Sequence, residues 1–258
     1  QCYDKGYIYR DYRVTPYCMH CETSLSISDT RESDSTRLRQ DRWVIARFRT
    51  DEVVDGKPVY FLAWTTTPWT LPSNMCLAVG EQLDYAYAEA GDSIYVACKN
   101  TLAGYEKIFG KSPVIVKECK GRDLLGKTYE PLFDYFADKK ADGAFRVVLA
   151  DYVGSEEGVG IVHTAPAFGE DDYWTCKKYR IPLVNPVDEK GRFTEEITDF
   201  YDPAHEKNVI ETNPAIIRFL YENGKAVADG TIEHNYQHCW RCKRPLIYKA
   251  KDARYIDI

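Results

Sequence analysis

The residues most plainly spaced for chemistry are two C-x-x-C pairs, Cys18-Met19-His20-Cys21 and Cys239-Trp240-Arg241-Cys242. Two intervening residues let both thiolates of a pair face one ion, and two such knuckles complete a closed tetrahedral zinc site. Closed coordination leaves no position for a reacting water, so the expected role is structural. His20 and His238 lie inside or beside the pairs and could replace a ligand, but Cys18, Cys21, Cys239 and Cys242 already suffice. The competing reading is reduced cysteine without metal. A redox pair is disfavoured, because neither motif opens a helix after a strand. Residues 22–238, 217 in all, separate the knuckles. The main body therefore reads as an insertion into a small metal-tied module. The other cysteines (Cys2, Cys76, Cys98, Cys119, Cys176) are scattered, which suits a reduced, cytosolic protein rather than a disulfide framework.

Hydroxyls crowd a second stretch, WTTTPWTLPSN (64–74). Thr65, Thr66 and Thr67 end an apolar run, and Pro68 and Pro72 close it with Trp69 and Thr70 between them. Alone, this is a structural strand edge. A third stretch, EGVGIVHTAPAFGEDDYW (157–174), puts His163 at a strand end and Glu170, Asp171 and Asp172 in the first turn of a helix. The helix dipole favours acidic side chains there, so this stretch alone also has a purely structural explanation. The chemistry changes if both stretches line one pocket. Hydroxyls and backbone N–H groups after Thr65 could then hold a carbonyl oxygen as it becomes an oxyanion. A buried aspartate could pair with a substrate ammonium, and His163 could close a side-chain pocket. No G-x-S-x-G elbow is present and no cysteine is paired with His163. The pieces suit hydrolysis by a bound water that the protein positions and polarises.

The elements that must position these residues are mostly strands. Apolar, β-branched runs at 43–49, 59–64, 75–79, 85–90, 94–98, 114–118, 145–150 and 160–163 read as strands. Asp55-Gly56 is a hairpin turn signal, and 188–193 reads as another tight turn. Helices are expected from Thr101 to Gly110, from Asp171 to Tyr179, and from Pro214 to Asn223 with Asn213 as N-cap and Gly224 as the stop. The polar stretch 31–41 reads as a mobile loop. Many short strands with few helices argue for an α+β, mainly β fold: a β-barrel with peripheral helices over 41–227, and a zinc-ribbon-like stem from 1–40 and 228–258.

Composition narrows the function. The net charge of −6 excludes a generally basic nucleic-acid coat, though not a local basic track. No apolar run approaches the ~20 residues a bilayer span needs, and the first residues, QCYDKGYIYR, lack a signal peptide's apolar region. A chain that begins without methionine and ends in ARYIDI reads as a fragment of a longer protein.

Three motifs in order, WTTTPWTLPSN, GIVHTAPAFGEDDY and NYQHCWRCKRPLIYKA, resemble the editing domain of isoleucyl-tRNA synthetases, which is inserted in the connective peptide of a class I Rossmann catalytic domain. The likeness runs from YRDYRVTPYCMHCETSLS to the C-terminus. Relatives for valine and leucine carry an arginine and then an acidic residue around the proline, whereas Thr67-Pro68-Trp69 stands here. The loop 31–41 departs from the family pattern.

The resemblance implies hydrolysis of the ester in mischarged Val-tRNA(Ile), and of the misactivated adenylate, without a catalytic metal. It implies that Thr65, Thr66 and Thr67 contact the ester or terminal adenosine. Trp69, Thr70 and His163 would admit valine and exclude isoleucine, and Asp172 would hold the α-ammonium. The implied partners are the tRNA acceptor end and the remainder of a cytoplasmic, monomeric synthetase. ATP would serve only that full-length enzyme, because the HIGH and KMSKS signatures are absent here. The purpose is physical: one methylene in an apolar pocket is worth about 150-fold, the isoleucine enzyme itself being the reference case. Two further readings stand beside this one, a non-catalytic module that binds the acceptor end or braces the synthetase, and an unrelated zinc hydrolase with a metal near His163.

Overall fold

In the computed structural model, residues 3–31, 35–109, 112–156 and 158–256 are described. Cys2, positions 32–34 of the polar stretch, Gly110 and Glu157 lie outside the described residues. The strands are β1 (Ile8–Cys18), β2 (Thr23–Ser24), β3 (Thr36–Val54), β4 (Lys57–Thr65), β5 (Cys76–Val79), β6 (Asp84–Ala90), β7 (Ser93–Cys98), β8 (Val114–Lys120), β9 (Arg146–Leu149), β10 (Ile161–Thr164), β11 (Ala226–Gln237) and β12 (Ile247–Ile256). The α-helices are α1 (Tyr105–Phe109), α2 (Glu170–Lys178) and α3 (Asn213–Glu222).

Every apolar run expected to be a strand is one. The β3–β4 hairpin turns at Asp55 and Gly56, both with positive φ (50° and 74°), the twist a two-residue hairpin requires. One sheet runs β11-β3-β4-β7-β6-β8, a second β10-β5-β9 and a third β12-β1-β2. Among the described residues only β4–β7 and β5–β9 pair in parallel.

The expected closed barrel does not form; the sheets are open. Among the described residues no ladder joins the first two sheets; the segment at 128–129 makes single bridges to each, Thr50 to Tyr129 and Thr128 to Arg146. Glu130 N–H still reaches the Arg49 carbonyl at 2.7 Å, but Pro131 after it has no N–H to give to a longer ladder. The two sheets share one continuous core that includes Phe48, Phe61, Leu77, Val96, Tyr129 and Val148.

Two local expectations are also corrected. Positions 36–41 are not loop but the start of β3, paired with β11 from Thr36–Gln237 to Asp41–Ile232. This end of the ribbon alternates exposed with partly buried positions, but polar residues fill most of both, so it carries no apolar alternation to read. The Asp41 carboxylate is buried there between Arg39 Nε (2.8 Å) and His234 Nε2 (2.9 Å). Asn213 is the first residue of α3 rather than its cap. Its Oδ1 accepts instead from the backbone N–H of Trp69 at 2.9 Å, tying α3 to the threonine stretch.

Candidate active site

The threonine stretch leaves the end of β4 and turns into a 3-10 segment, Pro68–Ser73, whose residues are all buried. Two prolines fix φ there, and side-chain hydroxyls take up the freed backbone groups. Thr65 Oγ1 accepts from Thr67 N–H (3.1 Å), and Thr70 Oγ1 donates to the Thr67 carbonyl (2.9 Å). Thr65 and Thr67 hydroxyls lie 3.2 Å apart, and those of Thr67 and Thr70 lie 3.4 Å apart. Thr66 is different. Its hydroxyl makes no hydrogen bond among the described residues, and it faces a cavity of about 680 Å³.

That volume is within the ordinary range for a small-molecule site. The cavity brings together Thr65, Thr66, Thr67 and Thr70 from one stretch with His163 and Asp172 from the other. The strand β10, ending in His163 and Thr164, pairs with β5 directly after the threonine segment, His163 opposite Leu77. Thr70 Oγ1 thereby lies 2.9 Å from His163 Nε2. The imidazole is buried, which drives its pKa down to about 3 and keeps it neutral.

Asp172 sits in the first turn of α2. Its Oδ2 accepts from Ala165 N–H at 2.8 Å, and no cation lies within ion-pair distance among the described residues. Burial is the main cause that raises its pKa to about 7; the Ala165 N–H opposes that and the Asp171 charge adds to it. An acid held this way favours a cation arriving from the cavity.

Trp69 is not brought to the wall. It lies buried behind Phe168, edge-on at 4.9 Å between ring centroids, and Phe168 lines the cavity. Sequence reasoning missed Trp64, Tyr152, Phe168 and Asn74. Tyr152 stands at the mouth, its hydroxyl beside Thr175, Thr164 and the Asp172 charge. The glycines of GVGIVH were the available signal for the opposite rim. Gly158 has φ 64° and presses its backbone on the Trp64 ring, where an added Cβ would lie 3.3 Å from ring carbon.

The two knuckles meet, although β3 to β11 lie between them in sequence. The ligand atoms of Cys18, Cys21, Cys239 and Cys242 all lie within 4.8 Å of one another. Zinc–thiolate bonds of about 2.3 Å in a tetrahedron place sulfurs about 3.8 Å apart, so the cage fits that ion. Each knuckle ends in a left-handed residue, Glu22 (φ 51°) and Lys243 (φ 62°), and Cys21 N–H points at Cys18 Sγ (3.4 Å). His20 and His238 are outside the cluster. No disulfide forms among the described residues, where all eight cysteines are free.

The architecture matches solved structures of synthetase editing domains. One titled GlLeuRS-CP1 superposes with a TM-score of 0.56 at 14% identity, covering 73% of this chain and 99% of that one. The editing domain of the Plasmodium knowlesi (P. knowlesi) cytosolic leucyl-tRNA synthetase gives 0.53 at 9% identity, covering 76% of this chain and 97% of that one. The chain therefore has the mainly β fold of the leucyl-tRNA synthetase connective-peptide editing domains. In sequence it is 41% identical to the isoleucine–tRNA ligase of Corynebacterium diphtheriae, over 99% of this chain and 25% of that protein. It is 40% identical to that of Mycobacterium tuberculosis, over 100% of this chain and 25% of the relative. The chain is thus homologous to isoleucine–tRNA ligases along its whole length and spans about a quarter of the length of the relatives it matches. No family model matches it.

Proposed function

We propose that this chain is the editing hydrolase of an isoleucine–tRNA ligase and cleaves the ester of Val-tRNA(Ile). The observation that supports this most is Asp172, a carboxylate that lines the cavity without a counter-ion among the described residues, in the same lining as the Thr66 hydroxyl. An aminoacyl ester supplies what both lack: an α-ammonium for Asp172 and a carbonyl oxygen for Thr66, with Thr67 beside it. Water adds to the ester carbonyl, the bond to the ribose oxygen breaks, and that oxygen takes the proton. His163 is neutral with both ring nitrogens engaged, so its part is to shape the wall with Thr70 rather than to act as base. Valine fits against that wall and isoleucine does not; Thr65 and Trp69 act through the loop and through Phe168. The misactivated adenylate, sharing the same aminoacyl group, is a second substrate. The partners are the tRNA acceptor end and the rest of a cytoplasmic, monomeric ligase.

The test is deacylation of Val-tRNA(Ile) and Ile-tRNA(Ile) by this chain, and by the full-length ligase carrying the same substitutions. The expected result is hydrolysis of the valyl ester alone, with Asp172→Ala slower by about 100-fold or more. Failure of both the chain and the full-length ligase to hydrolyse the valyl ester would reduce this to a non-catalytic acceptor-end module.

A further inference from the structure

A buried chain of hydrogen bonds behind the cavity is not used by the reaction above. Asn74 is buried and absent from the cavity wall. Its Nδ2 lies 2.9 Å from the Cys76 carbonyl oxygen and 2.9 Å from His163 Nδ1. Its Oδ1 accepts from the Tyr129 hydroxyl at 2.6 Å. Tyr129 is 1% exposed and held edge-on by Phe48 and Phe145.

The amide has one orientation. A backbone carbonyl only accepts, so the nitrogen of Asn74, not its oxygen, must face Cys76. One amide hydrogen goes to that carbonyl and the other to His163 Nδ1. Nδ1 must then be bare and the imidazole proton must sit on Nε2. Nε2–H donates to Thr70 Oγ1 at 2.9 Å, and the Thr70 hydroxyl proton goes on to the Thr67 carbonyl at 2.9 Å. The Cys76 carbonyl sets the order of protons on this wall, and Tyr129 completes it by donating to the amide oxygen. Its hydroxyl, pushed well above the usual phenol range by burial, keeps its proton to donate.

We infer that Tyr129 is a positioning residue for the cavity: through Asn74 it holds His163 as the Nε2–H tautomer and so fixes the Thr70 hydroxyl on the wall that receives the substrate side chain. The consequence for selectivity rests on the editing reading above; the consequence for the tautomer does not. Removing the Tyr129 hydroxyl orphans a buried amide oxygen. Asn74 keeps its nitrogen toward Cys76 and His163 but loses the bond that anchors the other side of the amide, and the fixed order of His163 and Thr70 is loosened.

The experiment is nitrogen NMR of this chain with labelled histidine. It has five histidines, and His163 is identified by the signal missing in His163→Gln. In the unaltered chain the Nε2–H form is expected throughout pH 5–8. In Tyr129→Phe the Nδ1–H form should rise to about a tenth or more of the population, and the preference for valyl over isoleucyl ester should fall about tenfold. Asn74→Asp is the second variant, because a carboxylate can only accept and demands a proton on Nδ1. A proton on Nδ1 in the unaltered chain overturns the inference. So does an unchanged tautomer in whichever of the two variants folds. A tautomer that responds in a chain and ligase that hydrolyse neither ester would leave Tyr129 as the positioning residue and remove the editing reading instead.

Discussion

Asp172 and His163 are both pushed toward their neutral forms, and the two pH dependences have opposite sign. Asp172 titrates near 7 when folded against 3.8 unfolded. Between those values the folded chain binds the extra proton, so this group's contribution to stability falls as pH rises. His163 titrates near 3 folded against 6.5 unfolded. There the unfolded chain binds the extra proton, so its contribution rises with pH and is lost as pH falls below 6.5. Each slope is up to about 1.4 kcal/mol per pH unit, and between roughly pH 4 and 6.5 the two oppose each other. Asp172→Asn should therefore expose the histidine slope, with melting temperature climbing from pH 4 to 6.5. His163→Gln should expose the carboxylate slope, with melting temperature falling over the same range. Parallel melting curves for the two variants would show that neither group is buried as described. Catalysis has a separate signature. If ionised Asp172 receives the ammonium, kcat/KM for valyl-ester hydrolysis should rise about tenfold per pH unit below 7 and level off above it. A profile unchanged in Asp172→Asn would remove the residue from that role. His163, Thr70 and Asp172 were legible because each lies in a compact motif. Asn74 and Tyr129 were not, because their meaning lies in a contact 55 residues apart in sequence that no local pattern announces.

The precision of Asp172 is a property of the element that carries it. The helix α2 starts immediately after Gly169, and a Cβ at that position would come within 2.8 Å of Asp172 Cγ and 3.1 Å of both carboxylate oxygens. The carboxylate can fold back onto Ala165 N–H only because that space is empty. Gly169→Ala should therefore move the carboxylate and lower kcat/KM about tenfold or more, since displacements of about 1 Å are costly in a positioned site. The helix itself should survive, because Gly169 is its N-cap with extended backbone (φ −147°, ψ 136°) that alanine adopts without strain. Wild-type kinetics in Gly169→Ala would mean the carboxylate has room to move without loss. Strands with one buried face, such as β4 and β6, were readable from their apolar runs. The strands β1 and β11 were not, because polar and charged residues fill them and no apolar run marks their partly buried positions. The barrel was over-read for a related reason. Strand content was legible, but closure depends on ladders between segments distant in sequence, and the 128–129 segment makes only single bridges among the described residues.

On the scale of the whole molecule, the two ends of the chain are held together twice. β1 and β12 pair over a ten-residue register from Ile8–Ile256 to Tyr17–Ile247, and the four cysteines close the ladder at its inner end. Val14, Tyr17, Ile247 and Ala250 belong to the main core. Cys18, Leu25, Cys239 and Leu246 form a separate small cluster, too few apolar residues to order two knuckles without help. We propose that zinc supplies the missing stability and that stem and body are separable in this sense. The stem is also latched to the body at the 188–191 turn. Tyr17 donates to the Glu189 carbonyl at 2.7 Å, the buried Lys249 ammonium donates to that of Asp188 at 2.7 Å, and Gly191 leaves space for Met19. The expected metal content is about one zinc per chain, with cobalt replacing it in a tetrahedral thiolate spectrum. Chelation, or Cys21→Ser with Cys242→Ser, should raise hydrogen exchange about tenfold or more across the knuckles while β3, β4 and β7 stay protected. Because the cavity is built on β4, β5, β10 and α2, hydrolysis should persist at an only modestly reduced rate. Exchange rising uniformly across the chain would instead make the metal part of one indivisible fold, and a chain purified without zinc yet protected at the knuckles would make the thiols sufficient by themselves.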